Sequence, residues 1–406
     1  MCVAGGKMSG EDYDVLVIGA GPAGSYAAYR LAAQGYKVAV LEQKKAAGED
    51  VCCSGIISVE CFDSFGIDPA VILTRASSAS FFSPGGRRLR LSKDKAVAYV
   101  VDRSLFDVAV ADKAQAQGAR YFCFARVVDV MVMEDSVRVE VVERGLRRKL
   151  EARALVVAGG FKPGLSQKLG LGRISRFAVG AQAEVLVGGL DEVEIYFSQQ
   201  TAPGFFAWLV PVSGQKALAG VMADTRAGEY LEKFLAGPFC RGRVTERVSE
   251  TRQKPIPIGS LPRVYRDRVL VVGDAAGQVK PTTGGGIYLG SRGVEVACET
   301  LGQALKVDDL SAASLAGYGR WWRGASKKEL APGYRVRRLY GRLSDRQIER
   351  LFAFVCSSGM AEALLRSPSF SFDLHSGLIR DGLKYALTYP LIKAGKVFRG
   401  KGGEEG

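Results

Sequence analysis

The chain opens, after a short polar stretch, on the unbroken apolar run Val15-Leu-Val-Ile18. Glycines follow at once, then an alanine-rich segment and a second apolar run, Val38-Ala-Val-Leu41. Short apolar runs bounded by turn residues suit parallel strands covered on both faces, so Tyr13 to Glu42 is predicted to form strand, helix, strand. From Ser77 to Val100 the segments become short and alternating, with Ser83-Pro-Gly-Gly86 as a turn between predicted strands. Val101 to Asp107 leads into an alanine-rich helix ending near Gly118, and Tyr121 to Val142 alternates as a strand pair would. The run Ala154 to Gly160 reads as a strand ending in glycines. Residues from Phe177 to about Ile258 are mostly strand-like, including Val193 to Ser198 and Phe205 to Pro211, and suggest an inserted sheet. Arg268 to Asp274 restores the parallel pattern, and beyond Gly317 the chain is helical and basic. The tail Met1 to Gly10 is small and polar and is expected to be disordered.

The glycines after the first run are spaced for a dinucleotide. In Gly19-Ala-Gly21-Pro-Ala23-Gly24, Gly19 allows a tight turn, Gly21 lets backbone approach a pyrophosphate, and Gly24 lets helix and strand pack closely. Pro22 suits a first helical turn, whose free N–H groups and positive dipole end would face phosphates. Glu42 closes the second strand, where a carboxylate accepts hydrogen bonds from ribose hydroxyls.

Composition narrows the partners. Lysine and arginine number 56 against 42 acidic residues, a formal charge of +14, which favours anionic partners: nucleic acid, a phospholipid surface or a phosphorylated substrate. The eight cysteines lack paired C-x-x-C spacing, so neither zinc nor an iron–sulfur cluster is supported and no metal is expected. The first apolar run carries the glycine motif and cannot serve as a signal peptide, which points to the cytoplasm. No apolar run is long enough to cross a bilayer, so membrane contact would be peripheral, at the inner face of the membrane.

A second glycine-rich helix start narrows the cofactor. In Gly273-Asp274-Ala-Ala-Gly277 and Pro281-Thr-Thr-Gly284-Gly285-Gly286-Ile287, Asp274 at a strand end can bind the polyol hydroxyls of a ribityl chain. Gly285, Gly286 and Ile287 would bring backbone N–H groups to the pyrimidine edge of an isoalloxazine, where a helix dipole favours the reduced, anionic flavin. FAD is therefore the expected cofactor. The fold class is α/β: a Rossmann-like FAD-binding domain assembled from residues 11–75, 100–176 and 262–316. An antiparallel-sheet substrate domain is expected at 76–99 and 177–261, and a helical region at 317–406. No second complete dinucleotide fingerprint occurs.

These motifs, together with Val101-Asp-Arg103, resemble the flavoproteins built on the p-hydroxybenzoate hydroxylase fold, and within them the geranylgeranyl reductases. The resemblance spans about residues 13 to 300. It implies that Arg103 contacts the FAD phosphates or adenosine, with a salt bridge at the helix start as the alternative. It also implies that Val127 meets the adenine through its backbone. Cys52-Cys53-Ser-Gly55 matches the family's Cys-Gly-x-Gly loop beside the isoalloxazine ring, with Cys53 in place of the first glycine. Cys52 would donate a proton, pack on the ring, or fill space. Phe206-Ala-Trp208-Leu-Val-Pro211 resembles the reductases' aromatic-x-Trp-x-Phe-Pro motif, implied to line the lipid cavity. Halogenases carry a similar motif, and a core strand would look much the same.

The function implied is FAD-dependent saturation of carbon–carbon double bonds in geranylgeranyl chains on a diphosphate or lipid, by flavin hydride transfer plus protonation. Ferredoxin or NADPH would supply the electrons. The alternatives are a flavin monooxygenase or halogenase, weakened because Ala158-Gly-Gly160 lacks the Ala-Asp-Gly of related hydroxylases, and an electron-transfer flavoprotein reducing a quinone. The lone histidine, His375, lies far along the chain from the flavin motifs and is expected to be structural. The basic run Arg320 to Arg350, with Trp321 and Trp322, has no nucleic-acid motif around it. A solvated face or an anionic lipid surface suits it better. Tyr385 to Arg399 mixes apolar residues with Lys393, Lys396 and Arg399, as in an interfacial helix or a terminal helix packed on the domain.

Overall fold

The first apolar run becomes the centre of a sheet. The structure, a computed structural model, describes residues 12–399, leaving aside the side chains of Pro163 and of residues 390–399. The expectation for the N-terminal tail, and those for Lys393, Lys396 and Arg399, lie outside that description. Strand Tyr13–Ile18 pairs in parallel with Val38–Leu41 on one side and with the end of Leu146–Val157 on the other. Val269–Val271 continues the parallel order beyond Leu146–Val157. Val15, Leu16 and Val17 are wholly buried, as a strand covered on both faces requires. The first half of Leu146–Val157 instead pairs antiparallel with Val137–Glu143, which pairs with Ala125–Val132. Helix α1 (Pro22–Ala32) connects the first two strands, and α2 (Arg103–Ala116) starts on a cap from Asp102, whose carboxylate accepts from the N–H groups of Ser104 and Leu105.

The turn into α1 depends on two absent side chains. Gly19 has φ +97°, and a Cβ on Gly24 would lie 1.9 Å from the Gly19 carbonyl oxygen. No larger residue lets the helix begin this close to the strand.

A second, largely antiparallel sheet runs in the order Val244–Arg247, Phe177–Val187, Lys216–Ala223, Ala207–Ser213, Val193–Tyr196, Ser78–Phe82 and Arg88–Ser92. Arg252–Pro257 also pairs with Phe177–Val187. One face, including Ala183, Leu209 and Val221, packs against α3 (Ala227–Ala236) through Leu231 and Phe234. That helix was not anticipated in a stretch read as strand-like. Its buried positions Ala227, Leu231 and Phe234 follow helical spacing, but ten residues give only a short stripe between long strands.

The opposite face carries different chemistry. Register places Arg252, Gln182, Gly220 and Trp208 side by side across four strands. Two residues along, Lys254, Gly180 and Met222 form a parallel row, and the Phe206 carbonyl accepts from the Met222 N–H. A Cβ on Gly220 would lie 2.2 Å from the Trp208 ring, so the indole lies directly on the backbone of that strand.

Helix α4 (Ile287–Lys306) packs on α1. Beyond it, α5 (Ala312–Ala325), a π-helical turn (Ser326–Leu330), α6 (Ala331–Tyr340), α7 (Asp345–Ser358) and α8 (Ser376–Arg399) form the helical end of the chain. Ser311 caps α5, and Ser344 with Gln347 forms a capping box on α7.

Replacing Gly24 with alanine should destabilise the cofactor-free protein by about 1–3 kcal/mol, the usual range for inserting a methyl into a packed site. Circular dichroism melting checks this, and an unchanged midpoint would contradict the packing described.

Candidate functional site

The two glycine-rich turns meet. They leave from strands on either side of Leu146–Val157, and a Cβ on Gly273 would lie 2.9 Å from that of Ala23. Helices α1 and α4 both begin without a side-chain cap, on Gly21 and Gly286, unlike α2, α5 and α7. Their first N–H groups are therefore free for an anion or a carbonyl. Gly21 has φ −72° and ψ −179°, which any residue adopts, and a Cβ there meets no protein atom within 4 Å. Nothing inside the fold requires glycine at that position, whereas a pyrophosphate lying against the backbone would.

Glu42 ties these parts together. Its Oε2 accepts from the Ala20 N–H at 2.8 Å and its Oε1 from the Lys44 N–H at 2.9 Å. Each oxygen retains acceptor capacity for a ribose hydroxyl. Val127 pairs with Val141 where the register shifts, at an irregularity that interrupts the ladder beside it. The Arg103 guanidinium pairs with a carboxylate on its own helix. Its Nε and Nη2 donate to Asp107 Oδ1 at 3.1 and 2.8 Å, and Nη2 also donates to Oδ2. This buried ion pair is the salt bridge that the sequence offered beside a cofactor contact.

Asp274 sits at the start of α4, where a Cβ on Gly286 would come within 2.7 Å of its Oδ1. Gly285 is equally confined, its Cβ position lying 2.9 Å from Lys280 Cε, and Ile287 packs on the main core. Asp274 Oδ2 accepts from Lys254 Nζ at 2.9 Å, and this carboxylate pushes the lysine pKa up. Lys254 is solvent-accessible yet surrounded by protein, as a residue lining a cleft is.

Cys52 and Cys53 lie on the same cleft. The Cys52 thiol donates to the Arg252 carbonyl at 3.5 Å, and burial pushes its pKa up to about 11. It therefore carries its proton at neutral pH and is no thiolate nucleophile. The Cys53 carbonyl accepts from Gln182 Nε2 at 3.2 Å. Cys53 has no positive φ, so the cysteine replaces the family glycine without backbone strain. Gly55 does need to be glycine, with φ +73° and a Cβ position 2.4 Å from the Val101 carbonyl oxygen. Gln182 Oε1 is buried and has no hydrogen-bond partner.

The aromatic motif reaches this cleft through Met222. Phe206 and Trp208 pack with ring centroids 5.9 Å apart, in a cluster with Met222, Ile256 and Tyr334. A Cβ on Gly284 would lie 2.9 Å from Met222 Sδ, so the aromatic face abuts the turn into α4. Pro211 is not brought to that face: it pairs with Ala217, which belongs to the cluster packed on α3. Trp208 Nε1 is buried without a partner.

His375 corrects an expectation. Rather than lying away from the flavin motifs, its Nδ1 accepts from the Thr282 hydroxyl at 2.7 Å and its Nε2 donates to the Phe372 carbonyl at 3.0 Å. The segment before α8 folds back over the Pro281–Gly286 turn, and the buried pair Lys280–Asp373, at 2.9 Å, holds it there. Burial, reinforced by Lys280, lowers the His375 pKa to about 4. The ring is neutral at physiological pH.

Lys254, Gln182 and Met222 escaped the sequence reading. The signal for Gln182 was available, because it stands alone among small residues in Gly180-Ala-Gln-Ala183. Lys254 looked like one more surface lysine on an alternating strand. Among the described residues no cluster of three or more metal-ligating side chains occurs.

A family model described as FAD binding domain matches residues 12–312. Digeranylgeranylglycerophospholipid reductase from Methanocaldococcus jannaschii is 31% identical over 353 residues, covering 84% of this chain and 89% of that protein. A crystal structure from Thermoplasma acidophilum, described as geranylgeranyl bacteriochlorophyll reductase-like, superposes with a TM-score of 0.82. Its identity is 21%, and the match covers 94% of this chain and 97% of that one. A flavin-dependent halogenase superposes at 0.69 with 20% identity, covering 93% and 78%, respectively. Structural likeness at this identity establishes a shared fold.

Gly21→Ala should weaken FAD retention while leaving the melting of the cofactor-free protein unchanged, the reverse of Gly24→Ala. Equal loss of stability in both variants would remove the ligand-based reading of Gly21. The single histidine resonance should titrate near pH 4 by NMR. Because the folded pKa lies below the unfolded value of 6.5, the unfolded chain takes up that proton first. The His375 contribution to stability is thus intact above pH 7 and is lost as pH falls from about 6.5 toward 4. A midpoint near 6.5 would contradict the buried site.

Proposed function

This chain belongs to the FAD-binding-domain flavoproteins and, within them, to the digeranylgeranylglycerophospholipid reductases, and on that basis we propose that it saturates the geranylgeranyl chains of a lipid. It is an FAD-dependent oxidoreductase. The observation that carries the reading is the contact between the aromatic face and the turn into α4, where the Gly284 backbone meets Met222 beside Phe206 and Trp208. Two ligands, one flat and one an apolar chain, would be held side by side there.

The residues fit FAD. The free N–H groups of α1, with Gly19, Gly21, Ala23 and Gly24, would take the pyrophosphate. Glu42 would hold the ribose, and the irregular backbone near Val127 the adenine side. Asp274 would bind the ribityl hydroxyls, and Gly285, Gly286 and Ile287 would meet the pyrimidine edge. Arg103, oriented by its pair with Asp107, would reach the FAD phosphates or adenosine. When bound and reduced, FAD would supply its two electrons to the double bond as one hydride.

The chain's own residues do the rest. Phe206 and Trp208 hold the isoprenoid against the ring and exclude water, and an isolated alkene needs such a dry, close alignment. Cys52 keeps a proton on Sγ at the edge of the same cleft, available to the second alkene carbon. Cys53 and Gly55 shape that loop. In this assignment the segments 11–75, 100–176 and 262–316 serve the cofactor, while 76–99 and 177–261 serve the substrate. Ferredoxin or NADPH supplies electrons without a second dinucleotide fingerprint in the chain. Contact with an anionic membrane surface fits a lipid substrate and the charge of +14. No helix among the described residues is long and apolar enough to cross a membrane.

The test is anaerobic incubation of the reduced protein with a geranylgeranyl phospholipid, followed by mass spectrometry. Product masses should rise in steps of two hydrogens, and an unchanged lipid would refute the proposal. Trp208→Ala should slow turnover by roughly a hundredfold, the cost of losing alignment at the reacting bond, while FAD remains bound. Full turnover in that variant would remove the role assigned to Trp208.

A further inference from the structure

Helix α6 has two unlike faces. Inward, Tyr334 packs with the Phe206 and Trp208 cluster, and the Arg337 guanidinium lies 3.9 Å above the Phe205 ring while donating to Asp224. Gly333 sits against Pro281, next to the turn into α4. This helix therefore packs directly on the aromatic cluster. Outward, at positions one helical turn apart, it and the turn after it expose Arg335, Arg338, Leu339 and Arg342.

The neighbouring helix repeats the pattern. Helix α8 packs on α6 and exposes Arg380, Leu383, Lys384 and Leu387 at the same spacing. Leu339 is 63% exposed, Leu383 61% and Leu387 79%, among the most exposed large apolar side chains described. Arg335, Arg338, Arg342 and Lys384 have no ion-pair partner among the described residues, although many cations elsewhere in the fold are paired. Asp381, beside the second stripe, pairs with Arg380 at 3.9 Å, and the stripe positions themselves hold no acid.

We propose that the outer faces of α6 and α8 form a docking surface for an anionic phospholipid bilayer, and that lipid chains pass from it over α6 to the aromatic face. Unpaired cations attract anionic headgroups, and exposed leucines beside them gain free energy only where an apolar phase is available. Nucleic acid would use the arginines but leave the leucines in water. The entry route rests on the reductase reading above, whereas the docking surface does not.

The experiment uses the full-length holoenzyme and sedimentation with vesicles of phosphatidylglycerol mixed with phosphatidylcholine, or of phosphatidylcholine alone. The unmodified protein should sediment with the anionic vesicles. The triple variant Arg335→Glu, Arg338→Glu, Arg342→Glu should lower that partition by roughly a hundredfold, given the contribution of each basic residue at such a surface. Leu383→Ser with Leu387→Ser should lower it by roughly tenfold through lost apolar insertion. The triple arginine-to-lysine variant, which preserves charge, should bind as the unmodified protein does. All variants should keep their flavin absorbance and reduce detergent-dispersed geranylgeranyl phospholipid normally. Vesicle binding unaffected by the glutamate variant would overturn the proposal, as would binding of RNA but not vesicles, or self-association through this face in place of vesicle binding. If no protein reduces the dispersed lipid yet vesicle binding follows the pattern, the reductase reading fails and the docking surface stands.

Discussion

The cleft depends on how closely the start of α1 approaches the strands beside it. A Cβ on Gly24 would lie within 1.9 Å of the Gly19 carbonyl oxygen, and one on Gly273 within 2.9 Å of Ala23. With those side chains absent, two uncapped helix starts come to the tips of parallel strands that flank one central strand. Two positive dipole ends then face one space, a strong arrangement for a ligand with a pyrophosphate at one end and an electron-rich ring at the other. Asp274 balances the second of these ends and is itself balanced by Lys254.

The second sheet has two unlike faces. It directs small and aliphatic residues at α3 and turns Trp208, Met222, Gln182 and Lys254 the other way. The aromatic rows are apolar, while the edge strand beside Cys52 and Cys53 carries the cations. An alkene has no charge for a protein to grip, so shape and exclusion of water must position it. Burial raises the Cys52 pKa, so this thiol stays uncharged at neutral pH. A flavin-dependent halogenase shares this fold at a TM-score of 0.69, so the fold alone does not specify the chemistry.

Much of this was legible in the chain. Continuous apolar runs gave the parallel strands, and the roles assigned to Gly19 and Gly24 match their surroundings in the fold. The alternation of Phe206 and Trp208 placed both rings on one face. What escaped depends on distant partners. His375 meets Thr282 across 93 residues and Lys254 meets Asp274 across 20, and no local pattern encodes either contact. Pro211 looked like part of the aromatic motif because it is near in sequence, yet the twofold period of a strand sends it to the other side. Arg103 was matched to a cofactor contact with a salt bridge as the alternative, and it pairs with Asp107 four residues on.

The central claim is that the flavin cleft and the aromatic face act as one site. Anaerobic single-turnover absorbance measures this most directly, by following the return of the oxidised-flavin band after reduced protein meets geranylgeranyl phospholipid. Reoxidation should occur without oxygen, with one flavin oxidised for each double bond saturated. Flavin that stays reduced with the lipid and reoxidises only with oxygen or a quinone would contradict the account.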